Sequence, residues 1–305
     1  MVVASAKPHR LSTVLVGRPE GQLGNRIFQA AAFLAASMEM GFPLWNPALG
    51  SYARFFPALD HDFFCRPVGG SLPIRPGRLL FCKVVDALTG RFGRPVCSMV
   101  GVSVLDVAQT HDVGELEYDL CDRNFESLLL RSRLVVAKGW KFRAHEALRT
   151  RRGRIVELFT PEVAIQCRVA ENIAQARAGV DLLVGLHVRR GDYANWLGGK
   201  FYYGFETYAD WIKQAEALWP EKKVGFLICS NENVDDLLSL PSVHASSGPG
   251  EPVTDLYALA ACDFLIGPPS TFTLWASYYG GAPLHMLLKG SQQLHMAGFA
   301  HHQRF

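Results

Sequence analysis

Residues 13–17 (TVLVG) form a short apolar, β-branched run, and from 26 to 40 apolar positions recur at helical spacing until Gly41 and Pro43 stop them. Between them lies the turn-rich GRPEGQLGN (17–25). Strand, glycine loop and helix in this order predict the first βα unit of a parallel sheet. The stretch 27–42 is strongly apolar, but Gln29, Ser37 and Glu39 interrupt it, and a buried amphipathic helix accounts for it better than a bilayer span. Residues 43–120 are rich in Pro, Gly and aromatics and predict only short strands near 79–85 and 100–105. A strand at 133–137 follows, and 161–178 reads as a long helix with Pro161 in its first turn.

After Gly179 the alternation is regular. Residues 182–189 are a near-continuous apolar strand, as expected of one buried on both faces, and HVRRGDY (187–193) closes it. A helix at 205–218, a strand at 224–229, a loop at 230–233 and a short helix at 234–240 come next. Then come a helix at 254–261, a strand at 263–267, the loop PPST (268–271), a helix at 272–279 and a strand at 283–288. This spacing predicts an α/β chain with a doubly wound sheet in its second half, divided into domains 1–165 and 166–305. Ligands of such sheets bind beyond the carboxyl ends of the strands. The 17–25 loop, HVRRGDY and PPST all fall at strand ends, and in a two-domain arrangement all three would face one cleft.

Composition narrows the function. Of 305 residues 49% are hydrophobic and 19% charged, which excludes a disordered chain. A net charge of +3 gives no ground for nucleic-acid binding. The seven cysteines are scattered and make no CxxC pair, so neither a disulfide framework nor a structural zinc site is expected, and a reducing compartment fits. With no run of about 18 apolar residues and no signal-peptide pattern, the expectation is a cytoplasmic protein without a membrane span. Peripheral association with a membrane is compatible with it where the acceptor is lipid-linked.

Three segments could carry chemistry. In GRPEGQLGN, Gly17, Gly21 and Gly24 let backbone approach a ligand ahead of a helix N-terminus, which attracts anions; the plainer reading is a βα turn with Asn25 as N-cap. In HVRRGDY, Arg189 and Arg190 must leave the core at the end of a buried strand, and a guanidinium suits phosphate. Asp192 can pair with an arginine or act on a proton, and His187 shares the strand face of Arg189; the plainer reading is an Arg–Asp pair and a satisfied core histidine. In 255–280, Asp255 starts a helix, and Ser270 and Thr271 precede another, where hydroxyls and amides make a second phosphate site; the plainer reading makes Thr254 or Asp255 and Ser270 N-caps. Asp60-His61-Asp62 matches a DxD metal pattern but reads better as a solvated turn, and His301-His302 as an exposed tail. No GxSxG elbow marks a hydrolase, and no GxGxxG with a following acid marks a dehydrogenase.

EGQLGNRIFQAA (20–31), HVRRGDY, FLICSNE (226–232) and DLYALAACDFLIGPPSTFTLWASYYGG (255–281) together resemble the α-1,2-fucosyltransferases and, more distantly, the α-1,6- and protein O-fucosyltransferases that share the arginine motif. The resemblance covers about residues 12–290, poorly near 43–120. It implies a GT-B fold, two Rossmann-like domains facing a cleft, with GDP-fucose bound mainly by the second. It implies inversion at the fucose anomeric carbon without a metal or other cofactor, and a terminal galactoside as acceptor. Carried over by position, it implies that Arg189 contacts the β-phosphate and stabilises the leaving diphosphate, supported by Arg190. His187 and Asp255 would bond guanine, Ser270 and Thr271 the phosphate oxygens, and Gly24 and Asn25 would approach diphosphate and fucose from the first domain.

The α-1,6 members carry a glutamate where this chain has Leu197, which leans against that branch and leaves Asp192 as the nearest candidate base. Two other readings stand beside α-1,2 transfer. One is a fucosyltransferase of different linkage or acceptor. The other is a non-catalytic module that binds GDP or a glycan.

Overall fold

β1 (Thr13–Val16) is buried from Val14 onward and hands the chain to α1 (Leu23–Met40). The structure is a computed structural model that describes residues 11–68, 72, 77–107 and 117–301. The chain forms two units that divide between Thr160 and Pro161.

In the first unit α1 is buried over most of its first three turns, as its alanine-rich sequence requires. Gln29, the polar residue inside that run, is buried and gives its amide N–H to the Gly139 carbonyl. Gly41 ends the helix in the left-handed conformation, its N–H bonded to Ser37 O at 2.8 Å. β2 (Leu44–Trp45), a 3₁₀ segment at 47–55 and α2 (Pro57–Asp60) lead to α3 (Arg78–Leu88), α4 (Arg94–Met99) and β3 (Val102–Val107). The unit closes with β4 (Tyr118–Asp119), α5 (Arg123–Arg131), β5 (Leu134–Gly139), β6 (Phe142–Arg143), α6 (His145–Thr150) and α7 (Arg152–Leu158). Its main sheet is parallel in the order β2-β1-β5-β3.

Sequence expectations fail in this unit at α3 and at the DxD segment. The strand expected near 79–85 is the helix α3. Its buried positions Arg78 and Cys82, with Thr89 just beyond the helix, follow a helical period that the apolar run obscured. The DxD segment is not a solvated turn. Asp62 is 0% exposed and accepts bonds from Phe64 N, Arg66 N, Leu72 N and the Arg66 guanidinium at 2.7–3.2 Å. Asp60 is buried against the Arg78 guanidinium at 2.8 Å. Burial pushes the Asp62 carboxyl up, but the bonds from Arg66 and the backbone outweigh it and hold it well below the carboxylate range. Both carboxylates are structural ion-pair members, and among the described residues no cluster of His, Cys, Asp and Glu could hold a metal ion.

The second unit begins with α8 (Val163–Ala176); Pro161 lies ahead of its N-cap, Glu162, and not in the first turn. β7 (Leu182–Val188), α9 (Phe205–Leu218), β8 (Val224–Ser230), α10 (Asp235–Leu238) and β9 (His244–Ser247) follow. α11 (Pro252–Ala260), β10 (Phe264–Gly267), α12 (Thr271–Gly280), β11 (Leu284–Met286) and β12 (Phe299–Ala300) complete it. The sheet order is β12-β11-β10-β7-β8-β9, parallel except for β12. From β9 to β11 this is the doubly wound order 3-2-1-4-5, which reverses between β7 and β10. The core lies between this sheet and α9, with Tyr208, Trp211, Ile212 and Phe226 buried. Of the terminal histidines, His301 is exposed and its Nδ1 lies 2.9 Å from Gly281 O, whereas His302 lies outside the described residues.

Candidate active site

Every residue of β7 is buried, so Arg189 and Arg190 emerge at its carboxyl end, on one side of the reversal. The loop after β10 stands on the other side and leads through Pro268, Pro269 and Ser270 into α12. Ser270 is the N-cap of α12, accepting Phe272 N–H at 3.2 Å, as the capping reading expects, and Thr271 is the first helical residue. The positive end of the α12 dipole thus faces the strand-end region that carries the arginines.

Tyr193 ties the two loops together. Its hydroxyl donates to Pro269 O at 2.6 Å and is hydrogen-bonded with Ser270, and its ring lies 5.6 Å from the Arg189 guanidinium carbon. Burial pushes this phenol up to about 12 despite the Ser270 bond and the nearby Arg189 charge, so it serves as a neutral strut.

The two arginines are held differently. Arg189 gives Nη2–H to Asp192 at 2.8 Å, so Asp192 pairs with Arg189 and not with Arg190. The Arg189 Nε–H is buried with no hydrogen-bond partner among the described residues. A buried guanidinium donor without an acceptor is costly, and the Arg190 Nε–H is in the same state. Arg190 gives Nη2–H to Tyr202 Oη at 2.6 Å and lies 4.1 Å over the Phe205 ring. Its Nε lies 3.2 Å from Glu232, whose other oxygen accepts Gly191 N–H at 2.8 Å. Glu232, Tyr202, Phe205 and Tyr193 were not singled out in the sequence, because each acts through a contact between distant segments.

His187 is 4% exposed, its Nδ1 2.6 Å from Thr273 Oγ1 and its ring 5.0 Å from Phe272. Burial, with the Arg189 charge added, pushes the imidazole down to about 3, so it is neutral at physiological pH.

Asp255 does not cap its helix, and neither does Thr254. Glu251 is the N-cap of α11, and Thr254 donates back to Glu251 O at 2.9 Å. Asp255 is 6% exposed and accepts Gly250 N–H at 2.7 Å. The thiol of Cys229, beside His187 in the β7–β8 register, lies 3.8 Å from the Asp255 carbonyl. Burial pushes the Asp255 carboxyl up to about 6, the Gly250 bond opposing it. The structure therefore gathers His187, Arg189, Arg190, Asp192, Asp255, Ser270 and Thr271 around the carboxyl ends of β7, β8 and β10.

Gly24 and Asn25 belong to the first unit. α1 starts at Leu23 behind Gln22, so Asn25 lies inside its first turn and is not the N-cap. Gly21, at φ +63°, has the Asn25 amide packed where a side chain would begin. Arg26 Nε donates to Gly21 O at 3.1 Å and locks this loop.

No family model matches the chain, and no curated protein matches its sequence. Solved structures do resemble it. A mutant of Arabidopsis thaliana FUT1 in complex with GDP aligns with a TM-score of 0.61 at 16% identity, covering 92% of this chain and 71% of that one. NodZ alpha-1,6-fucosyltransferase soaked with GDP-fucose aligns with a TM-score of 0.53 at 16% identity, covering 95% and 97%. POFUT1 in its apo form aligns with a TM-score of 0.51 at 12% identity, covering 92% and 99%. At these identities the likeness establishes the fold, which is the GT-B fold of Rossmann-like units expected from the sequence.

Proposed function

We propose that the chain is an inverting, metal-independent glycosyltransferase that moves L-fucose from GDP-fucose to the 2-hydroxyl of a terminal galactoside. One observation carries the reading: the buried Nε–H of Arg189, with no hydrogen-bond partner among the described residues, stands at the sheet reversal that also carries the start of α12. The printed names of two fold relatives, one in complex with GDP and one soaked with GDP-fucose, support the donor part of the reading, while the alpha-1,6 linkage printed for the second differs from the linkage proposed here.

In this mechanism residues 166–305 hold the donor and residues 1–165 serve the acceptor side. As the bond to fucose breaks, negative charge grows on the β-phosphate. Arg189, supported by Arg190 and by donors of Ser270, Thr271 and the α12 N-terminus, is in place before the charge appears. Preorganised donors of this kind lower barriers by about 3 kcal/mol each. They do the work that a divalent ion does elsewhere. Asp255 accepts guanine N1–H and N2–H, an edge adenine does not offer, while neutral His187 lines the base side. Asp192 orients Arg189 with one oxygen and offers the other to the acceptor hydroxyl.

Leu197, in the left-handed conformation at φ 49°, occupies the position where the α-1,6 enzymes have their glutamate, which favours the α-1,2 reading. The test is GDP release from GDP-fucose with lactose as acceptor in the presence of EDTA, with product linkage read by NMR. An α-1,2 product supports the proposal. Another linkage moves the chain to a different fucosyltransferase class. GDP binding without turnover on any glycan identifies a non-catalytic module, and no GDP binding by calorimetry removes the donor assignment.

A further inference from the structure

Exposed apolar side chains gather on one part of the first unit. Of fifteen large apolar residues exposed among the described ones, eight lie between 79 and 100, in α3, α4 and the turn joining them. Such concentration marks an interaction surface rather than scattered exposure. Leu80, Val84 and Leu88 follow one another at i, i+4 spacing on α3, on the side opposite buried Arg78 and Cys82. Phe92, in the turn, is 94% exposed, and Met99 of α4 is 86% exposed.

Charge identifies the occupant. The exposed residues of 77–100 include Lys83, Arg91 and Arg94, of which Arg94 is paired with Asp106 at 2.9 Å. The single acid of this segment, Asp86, faces the buried Lys138 ammonium at 2.7 Å. We propose that the α3–α4 face is a peripheral docking surface for an anionic phospholipid bilayer. Its apolar stripe enters the headgroup region while Lys83 and Arg91 meet lipid phosphates. No helix among the described residues is long and apolar enough to cross a membrane, so this surface would act as a reversible contact. A second copy fits poorly: a two-fold contact would set Lys83 and Arg91 against their own copies, since the acids beside them, Asp86 and Asp106, are taken up by Lys138 and Arg94.

The inference is independent of the donor chemistry, and its test separates the two. The full chain is sedimented with vesicles of neutral phosphatidylcholine and with vesicles holding one third phosphatidylserine, at low and high salt. Binding to the anionic vesicles alone, weakened by salt, is expected. Phe92→Glu, at a fully solvated position that leaves folding intact, should abolish it. Lys83→Gln with Arg91→Gln should weaken it by about thirtyfold. GDP affinity, measured on the same variants, should not change. Equal binding to both vesicle types, no binding, or binding untouched by Phe92→Glu overturns the proposal. So does a dimer in sedimentation velocity that Phe92→Glu dissolves, which would assign the face to a second copy.

Discussion

Glu232 joins two loops: one carboxylate oxygen accepts the Gly191 N–H at 2.8 Å, and the other stands 3.2 Å from Arg190 Nε. It fixes the turn through which both arginines leave β7 without being placed against the donor itself. Glu232→Ala should lower kcat/KM by about 10–100-fold, as expected when supporting groups let a site loosen. Glu232→Gln, which keeps an acceptor for Gly191, should recover part of that loss. Circular dichroism should show the fold of both variants intact. Equal activity of wild type and Glu232→Ala would remove the positioning role.

Arg189 carries the departing diphosphate in the proposed mechanism. Arg189→Ala should raise the barrier by about 3 kcal/mol or more, on the order of a hundredfold in rate. Arg189→Lys should not rescue it, because an ammonium cannot both hold Asp192 and present a second fixed donor. Asp192→Asn should shift the pH–rate profile if its outer oxygen takes the acceptor proton. An unchanged profile with only a modest fall in kcat would restrict Asp192 to orienting Arg189.

In the proposed mechanism Asp255 couples stability to nucleotide binding. Its carboxyl is raised from 3.8 to about 6, so its contribution to stability is fully present below pH 4 and is lost as pH rises to about 6. Above that pH the buried carboxylate costs the fold about 3 kcal/mol at most. Asp255→Asn, which keeps an acceptor for Gly250 N–H, should therefore raise Tm at pH 7 and leave it unchanged at pH 4. The same variant should lose most of its GDP affinity, read by calorimetry. In the wild type, GDP affinity should fall as pH drops below about 6 and the carboxylate is protonated.

Asp62 has the opposite sign. Its carboxyl is held low by Arg66 and backbone N–H groups, so its stabilisation is present above the usual carboxylate range and is lost as pH falls below about 4. Asp62→Ala should cost about 2–3 kcal/mol by urea titration, below the figure for a fully buried pair because Arg66 reaches solvent. GDP affinity at fixed folded fraction should not change, and neither should activity in EDTA. A metal-dependent loss on this substitution would restore the DxD reading.

Much of the second unit was legible. α9 matches its predicted limits, and β7, β8, β10 and α12 lie within two residues of theirs, because strands buried on both faces and helices bounded by Pro, Gly and Ser leave strong one-dimensional signals. The segment 79–85 was misread because a helix exposing Leu80, Val84 and Leu88 presents an apolar run with no clean period. Asp62 was misread because the sequence cannot show that Arg66 and three backbone N–H groups close around it.

The sequence alone determined which chemical groups stand at the ends of two strands, Arg189 and Arg190 after β7 and Ser270 and Thr271 after β10, whereas β9, the strand that precedes Asp255, carried no signal in it. Only the tertiary structure decided which arginine pairs with Asp192, that Glu232 and Tyr193 brace the loops, and that Arg189 Nε is buried without an acceptor among the described residues. The division has a physical cause. Local pattern follows from the period of burial along one element, whereas pairing depends on crossovers that bring residues 40 to 80 positions apart within hydrogen-bond reach.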